Sequence, residues 1–71
     1  MTTYNLEPLG KNKLSLRKGR KQFKAESEAD ALIVSDKIVQ GWRNFGYLGG
    51  VQLITNHPGA ASHLVTVYSR G

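Results

Sequence analysis

The longest regular pattern of apolar and polar positions in the chain runs from Ser27 to Phe45 and is typical of an amphipathic helix. At about 100° per residue, its apolar and small residues fall within an arc of roughly 160°. These residues are Ala31, Leu32, Val34, Ser35, Ile38, Val39, Trp42 and Phe45. Ile33 falls alone in the middle of the opposite, polar face. We therefore predict a helix with one side against a sheet, and we expect Trp42 to be largely buried between them.

Both ends of the predicted helix carry capping signals. Ser27, followed by Asp30 three residues later, can accept a hydrogen bond from a free N–H of the first turn. Glu28 and Asp30 add negative charge at the positive end of the helix dipole. Gly46 is a natural residue for the C-terminal end. The helix is therefore predicted to begin near Ser27 and to end near Phe45.

Alternating apolar and polar residues before the helix predict three short strands. The first spans residues 3–7. Pro8 cannot donate to a ladder, so this strand either lies at a sheet edge or stops there. The second spans residues 13–18 and the third spans residues 21–25. Glycine-containing turns separate the three, so we expect an antiparallel meander that leads directly into the helix. The residues predicted to face the core are Tyr4, Leu6, Leu14, Leu16, Phe23 and Ala25.

Two further strands are predicted after the helix, over residues 51–55 and 63–69. A loop with a turn at Pro58-Gly59 joins them. Both phases of these strands carry apolar residues, so their facing is ambiguous. The inward set that we favour is Val51, Leu53, Val65 and Val67. This choice leaves Tyr68 facing outward.

The elements follow the order of three strands, one helix and two strands. This order predicts a single small α+β domain over residues 1–71, with a curved antiparallel sheet of about five strands packed on one helix. Whether the first or the third strand meets the C-terminal hairpin is left open by the pattern. The chain has no cysteine, so neither a disulfide nor a thiolate metal site can stabilise so small a core.

The sequence contains no apolar run that approaches the length of a membrane span. Its N-terminus also lacks the apolar centre of a signal peptide. We therefore expect a soluble protein that has no membrane partner and is located in the cytoplasm. If the chain is phage-encoded, that compartment is the host cell cytoplasm.

Few residues of the chain could carry catalysis. His57 and His63 are its only histidines, and no acid follows Asp36, so no carboxylate lies near them in sequence to complete a metal site or to orient a base. The serines lack the elbow motif of hydrolases. The basic turn around Gly19 lacks the second glycine and the helix start of a phosphate-binding loop. We predict a non-enzyme without a cofactor or a metal.

The ten Lys and Arg residues are distributed unevenly. Seven of them lie between positions 11 and 24, and no acid lies between Glu7 and Glu26. Like charges at this density repel one another, which costs stability unless a partner supplies negative charge. We therefore predict a basic hairpin that binds either nucleic acid or an acidic protein surface of a nucleoprotein complex, the alternative being a solvated face. The predicted contact set is Lys13, Arg17, Lys18, Arg20, Lys21 and Lys24.

Ile33 is a candidate protein contact, because a large β-branched side chain gains nothing from solvent at the centre of a polar helix face. The alternatives are an incidental surface isoleucine, or a helix rotated so that Ile33 belongs to the core. Ile33 and the exposed side of the last hairpin could also form a homomeric contact in a small structural or assembly protein. The expected oligomeric state is a monomer or a weak homodimer.

The three strands and the helix of residues 3–45, with their basic sheet face, resemble the arm-type DNA-binding domains of phage and transposon integrases. Such domains lay a sheet in the major groove. This resemblance implies a direct duplex DNA- or RNA-binding module that uses the basic sheet face.

Four features of the whole chain carry a second resemblance. They are a first strand with Tyr4 and Leu6, a Ser-led helix start over residues 27–31, the segment 50–54 and a last strand that ends in Val67-Tyr68. Together with the order of elements, they resemble small phage-encoded anti-CRISPR proteins that act on type I surveillance complexes. The resemblance gives no residue a role. It implies a non-catalytic inhibitor that docks on a nucleic-acid-handling complex.

Overall fold

The computed structural model describes residues 1–9, 20–57 and 59–70. Its elements are β1 (Thr2–Pro8), β2 (Lys21–Ala25), α1 (Glu28–Asn44), β3 (Val51–Asn56) and β4 (Leu64–Tyr68). The predicted α+β class is confirmed, and the described residues contain one helix and a four-stranded antiparallel sheet. The fifth strand that we predicted, over residues 13–18, lies outside the described residues.

The sheet has the order β2-β1-β3-β4, with every neighbouring pair antiparallel. β1 is therefore a central strand, and Tyr4 lies opposite Phe23 on one side and Thr55 on the other. The predicted meander is wrong in its order, because β1 and β2 pair directly and no strand lies between them. The first strand, not the third, meets the C-terminal hairpin. Of the two alternatives at Pro8, an edge strand is wrong, and β1 instead ends at this residue, where a missing N–H costs least.

One face of the sheet and one side of α1 enclose the core. The buried apolar residues are Tyr4, Leu6, Ala25, Ala31, Val39, Tyr47, Val51 and Leu53. Leu6 and Leu53 have no exposed surface and lie opposite each other in the two central strands. Trp42, which we expected to be largely buried, is only half-buried and packs edge-on against the ring of Tyr47, with centroids 6.4 Å apart.

The start of α1 follows the predicted capping pattern, because Ser27 Oγ accepts a hydrogen bond from the Asp30 N–H at 3.1 Å. The helix also ends where predicted, with Phe45 as its C-terminal cap residue, but the Phe45 side chain does not face the sheet. Phe45, assigned to the apolar arc, is 86% exposed, because α1 ends at Asn44 before this side chain can reach the sheet. Gly46, with φ +102°, turns the chain back so that Tyr47 occupies the core beside Trp42 instead.

The last two residues of β4 face the opposite way to the prediction, whereas Val65 packs against the core as predicted. Residues directly opposite each other share a face of the sheet. Tyr68 lies opposite the buried Val51 and therefore faces inward, whereas Val67 lies opposite Gln52 and is 53% exposed. A register shift in the β3–β4 ladder lets Val65 pack against the core as well. The predicted inward position of Val67 and outward position of Tyr68 are both wrong.

Candidate binding surface

The predicted basic contact set divides into two halves. Lys13, Arg17 and Lys18 lie outside the described residues. The other three members are Arg20, Lys21 and Lys24, all exposed and all on β2 or directly before it. Because β2 pairs only with β1 in the described sheet, these cations lie along one sheet edge. We call this the basic edge.

Strand alternation distributes the basic edge over both sides of the sheet. Phe23 packs against the core, so Gln22 and Lys24 point to the opposite face, which we call the outer face. Arg20 shares this phase, since its guanidinium lies 3.6 Å from the Glu7 carboxylate across the ladder. Lys21 takes the other phase and lies at the margin of the helix-bearing face. Three residues of the basic edge region, Arg20, Gln22 and Lys24, therefore share the outer face.

A row of polar side chains crosses the outer face from the basic edge. The Glu7 carboxylate receives a hydrogen bond of 2.9 Å from Gln52 Nε2 and lies beside Arg20. Beside this row, Asn5 is buried, and its Oδ1 accepts no hydrogen bond from the described residues. Lys21 and Lys24 have no ion-pair partner in the described part of the chain. Only one of the three cations on the basic edge is thus paired with an acid there.

The other half of the outer face is apolar. Ile54 on β3 lies opposite Leu64 on β4, and Val67 lies on the same face because of the register shift between them. Leu64 is 60% exposed and Val67 is 53% exposed. The outer face therefore changes from basic at β2, through polar at β1, to apolar at β3 and β4.

Ile33 lies on the solvent side of α1 and is 57% exposed. This agrees with the predicted helix orientation and excludes the alternative in which Ile33 belongs to the core. The outer face lies on the other side of the sheet from α1. Ile33 and the outer face are therefore separate surfaces that one flat partner cannot contact together.

Arg43 lies outside the predicted apolar arc of the helix, yet it joins α1 to the turn that follows and to the residue after β4. Its Nη1 donates to the carbonyl oxygens of Tyr47 at 3.1 Å and Gly49 at 2.6 Å. Its Nη2 donates to the Ser69 carbonyl at 2.8 Å. The only sequence signal for this role was the glycine-rich turn after α1. The backbone carbonyls of such a turn need hydrogen-bond donors, and Arg43 is close to it in sequence.

A second polar contact links α1 to β4. Ser35 Oγ and Tyr68 Oη lie 2.6 Å apart and share a hydrogen bond, and Ser35 also donates to the Leu32 carbonyl. Burial raises the pKa of Tyr68, the Ser35 hydrogen bond lowers it, and the neighbouring Asp36 carboxylate raises it, so that the pKa lies above its usual value. The contact was missed because the sequence pattern placed Tyr68 on the outer side.

Two exposed histidines lie close together at the β3–β4 connection. The ring centroids of His57 and His63 are 6.1 Å apart. Residues 1–9, 20–57 and 59–70 contain no group of three or more His, Cys, Asp or Glu side chains that could hold a metal ion.

The single helix of the described chain is too short and too polar to cross a membrane.

No family model, curated protein or solved structure matches this chain. The proposals below therefore depend on its own residues and geometry.

Proposed function

We propose that this protein is a non-catalytic binding protein that docks through its basic edge on an acidic protein surface of a nucleic-acid-handling complex and inhibits that complex. The observation that carries the proposal is the exposed, largely unpaired charge of Arg20, Lys21 and Lys24 along one sheet edge. The target class follows from the resemblance to anti-CRISPR proteins of type I systems.

The charge of the basic edge favours an anionic partner. Alternate residues on one face of a strand lie roughly 6.6 Å apart, so Arg20 and Lys24, with Gln22 between them, present two positive charges roughly 13 Å apart. Exposed charges of one sign repel one another, and an acidic partner relieves this repulsion. The Glu7 carboxylate offsets only part of it, since it contacts Arg20 alone among these cations. Complementary charge of this kind speeds docking and selects the partner.

The composition of the outer face favours a protein over a nucleic acid as that partner. Glu7 lies within the polar part of the face and would repel phosphates. The apolar half of the face consists of Ile54, Leu64 and Val67, and a phosphate backbone has no apolar surface to pack against these side chains. A surface with apolar and charged parts side by side is typical of protein–protein contacts. Ile33 remains a second candidate contact with such a partner, on the opposite side of the molecule.

Direct binding to duplex DNA or RNA is the second candidate function. The observation that favours it is that Arg20, Gln22 and Lys24 share one face of an exposed edge strand. Arg, Gln and Lys are side chains that contact base edges and phosphates, and a short β-ribbon fits the major groove of DNA.

A salt titration separates the two candidates. We expect no binding to a fluorescent random-sequence duplex at about 0.15 M salt, where a protein held by phosphate contacts binds non-specifically at about 10⁻⁴–10⁻⁶ M. In parallel, purified type I surveillance complexes are assayed for loss of target-DNA binding when the protein is added. Binding to the duplex with a steep salt dependence, and no inhibition of any complex, would establish the second candidate instead.

Paired charge variants then test the basic edge. Replacing both Lys21 and Lys24 with Gln should weaken the affinity of this protein for the complex that it inhibits at least tenfold. The melting temperature should stay unchanged or rise, because self-repulsion decreases. The control replaces Lys37 and Arg70, which are exposed elsewhere, and removes the same charge. Equal losses in both variants would mean that net charge, not the basic edge, determines binding.

A further inference from the structure

β4 forms the second edge of the sheet and differs in chemistry from the basic edge. It pairs only with β3 in the described sheet. Its five residues, LVTVY, include no charge, proline or glycine, and four of them are β-branched or aromatic. A strand of this kind presents a row of backbone groups that can pair with another strand. Two of the devices that protect edge strands, charge and proline, are missing from β4, although its ladder with β3 contains a register shift.

The surroundings of β4 can accept an added strand on both sides of the sheet. On the outer face, Leu64 and Val67 continue the exposed apolar surface to the very edge. On the helix side, a cleft of about 570 Å³ lies between α1 and β4. Its lining includes Asp36, Val39, Gln40 and Arg43 from α1, and Tyr68 and Ser69 at the end of β4. The side chains of an added strand would therefore meet apolar surface on one side and open space on the other.

We propose that β4 pairs antiparallel with β4 of a second copy of this chain, which joins two four-stranded sheets into one eight-stranded sheet across a two-fold axis. The charges at this edge identify the occupant. An uncharged strand can pair with its own copy without charge repulsion, whereas its side chains give a charged segment no ion-pair partner. The cleft carries one acid, Asp36, and one base, Arg43, so its charges balance and two copies related by a two-fold axis do not repel each other there.

The net charge of +5 on each copy does not oppose this arrangement. Pairing through β4 places the two basic edges at opposite ends of the joined sheet, seven strand spacings apart. At about 4.8 Å per spacing this is roughly 34 Å, well beyond the Debye length of about 8 Å at physiological salt. Pairing through β2 would instead bring Lys21 and Lys24 of both copies together. The sheet therefore has one edge that repels its copy and one that accepts it.

A contact of one short strand and its flanking side chains is small, so we expect a weak dimer with a dissociation constant in the micromolar range. Sedimentation equilibrium of the unmodified chain at 0.15 M salt tests this directly. The average mass should rise with concentration from the monomer value of 7.8 kDa toward twice that value. A mass that stays at the monomer value up to millimolar protein overturns the proposal and leaves the β4 edge to a different partner.

Two matched lysine substitutions locate the contact. Val67→Lys adds a charge to β4, and it should keep the fold and raise the dissociation constant at least tenfold, because two like charges then meet at the joined edge. Leu64→Lys should do the same from the other end of the strand. Ile33→Lys is the control, since it adds the same charge at a similarly exposed residue on α1 and should leave the dimer intact.

Far-UV circular dichroism confirms that each variant is folded before its mass is compared. Dimers that persist in both β4 variants would overturn the proposal, as would loss of the dimer in Ile33→Lys alone. The dimer requires no nucleic acid and no target complex, so this experiment is independent of the proposed function.

Discussion

The two edge strands of the sheet have similar lengths and opposite surface chemistry. β2 carries Lys21 and Lys24 and follows Arg20, so the edge that it forms in the described sheet is charged. β4 carries no charge at all and exposes Leu64 and Val67. Charged edges resist pairing with other sheets, whereas uncharged apolar edges favour it. The difference indicates that one molecule presents two surfaces, one suited to a charged partner and one to another sheet.

The two edges also differ in how they are fixed to the rest of the molecule. β2 is held by apolar packing, with Phe23 stacked on Tyr4 at a centroid distance of 5.8 Å and Ala25 buried. β4 is joined to α1 by polar contacts, through the Ser35–Tyr68 hydrogen bond and through Arg43, which donates to the Ser69 carbonyl just after the strand. Hydrogen bonds are directional, so we expect the position of β4 relative to α1 to be more narrowly defined than that of β2.

The largest expected effect comes from the central strands on which both edges depend. Leu53→Ala removes a fully buried side chain that lies between Leu6 and Thr66 in the sheet. We expect the free energy of unfolding to fall by about 2–5 kcal/mol, which is enough to unfold much of so small a domain. Urea denaturation followed by tryptophan fluorescence measures this change.

Leu64→Ala is the control for that variant. It removes the same atoms from an exposed position in the adjoining strand, and we expect a change within about 0.5 kcal/mol. Losses of equal size in the two variants would contradict the observed facing of β3 and β4.

An intermediate effect is expected for Arg43→Gln, which loosens β4 without touching the apolar core. The substitution removes the charged donor that serves the carbonyls of Tyr47, Gly49 and Ser69. Hydrogen bonds to a charged group contribute about 1.5–3 kcal/mol each when buried, but water can replace part of them here, so we expect a total loss of about 1–3 kcal/mol.

Hydrogen exchange locates that loss within the molecule. Protection should decrease in β4 and in the turn after α1, whereas β2 should be unchanged. Uniform loss of protection across both edges would show that Arg43 does not act on β4 specifically.

The sequence pattern was sufficient where one phase of an element was clearly apolar. The helix boundaries, the Ser27 cap and the inward residues Phe23 and Ala25 followed directly from periodicity. The same reasoning failed in β4, because apolar residues occupy both of its phases and a register shift changes the facing within the strand. No local pattern marks such a shift, so Val67 and Tyr68 were exchanged.

Strand order and long-range contacts also could not be predicted from the pattern of apolar and polar residues. The direct pairing of β1 with β2 depends on contacts between residues far apart in sequence, which periodicity does not contain. Tyr47 lies in a glycine-rich segment that reads as a flexible turn, yet its ring is buried, and a Cβ at Gly49 would lie 2.6 Å from its hydroxyl. Of the candidate surface, the pattern predicted the exposed charges of β2, the exposed Ile33 and a contact on the exposed side of the last hairpin, but it did not place Val67 on that side.

The smallest change in stability is expected on removing the Tyr68 hydroxyl, which joins β4 to α1. Tyr68→Phe keeps the ring, which packs against the core, and removes the hydrogen bond with Ser35. Ser35 retains its bond to the Leu32 carbonyl, so no group is left wholly unpaired. We expect a loss of about 0.5–1.5 kcal/mol near neutral pH, measured by chemical denaturation. Tyr68→Leu, which also removes the ring, should cost more.

The stabilisation by the Tyr68 hydroxyl should decrease at high pH and should not increase at any pH. The pKa of Tyr68 is raised in the folded state, chiefly by burial and also by Asp36, so the folded chain holds the hydroxyl proton more tightly than the unfolded chain. The difference in stability between the parent and Tyr68→Phe should therefore be constant below the unfolded pKa of about 10 and should shrink as the pH rises through the folded value. The charges of the lysines affect both proteins alike and cancel in the comparison. A difference that grows above pH 10 would mean that the hydroxyl is ionised more easily in the folded state, and that Ser35 donates a dominant hydrogen bond to it.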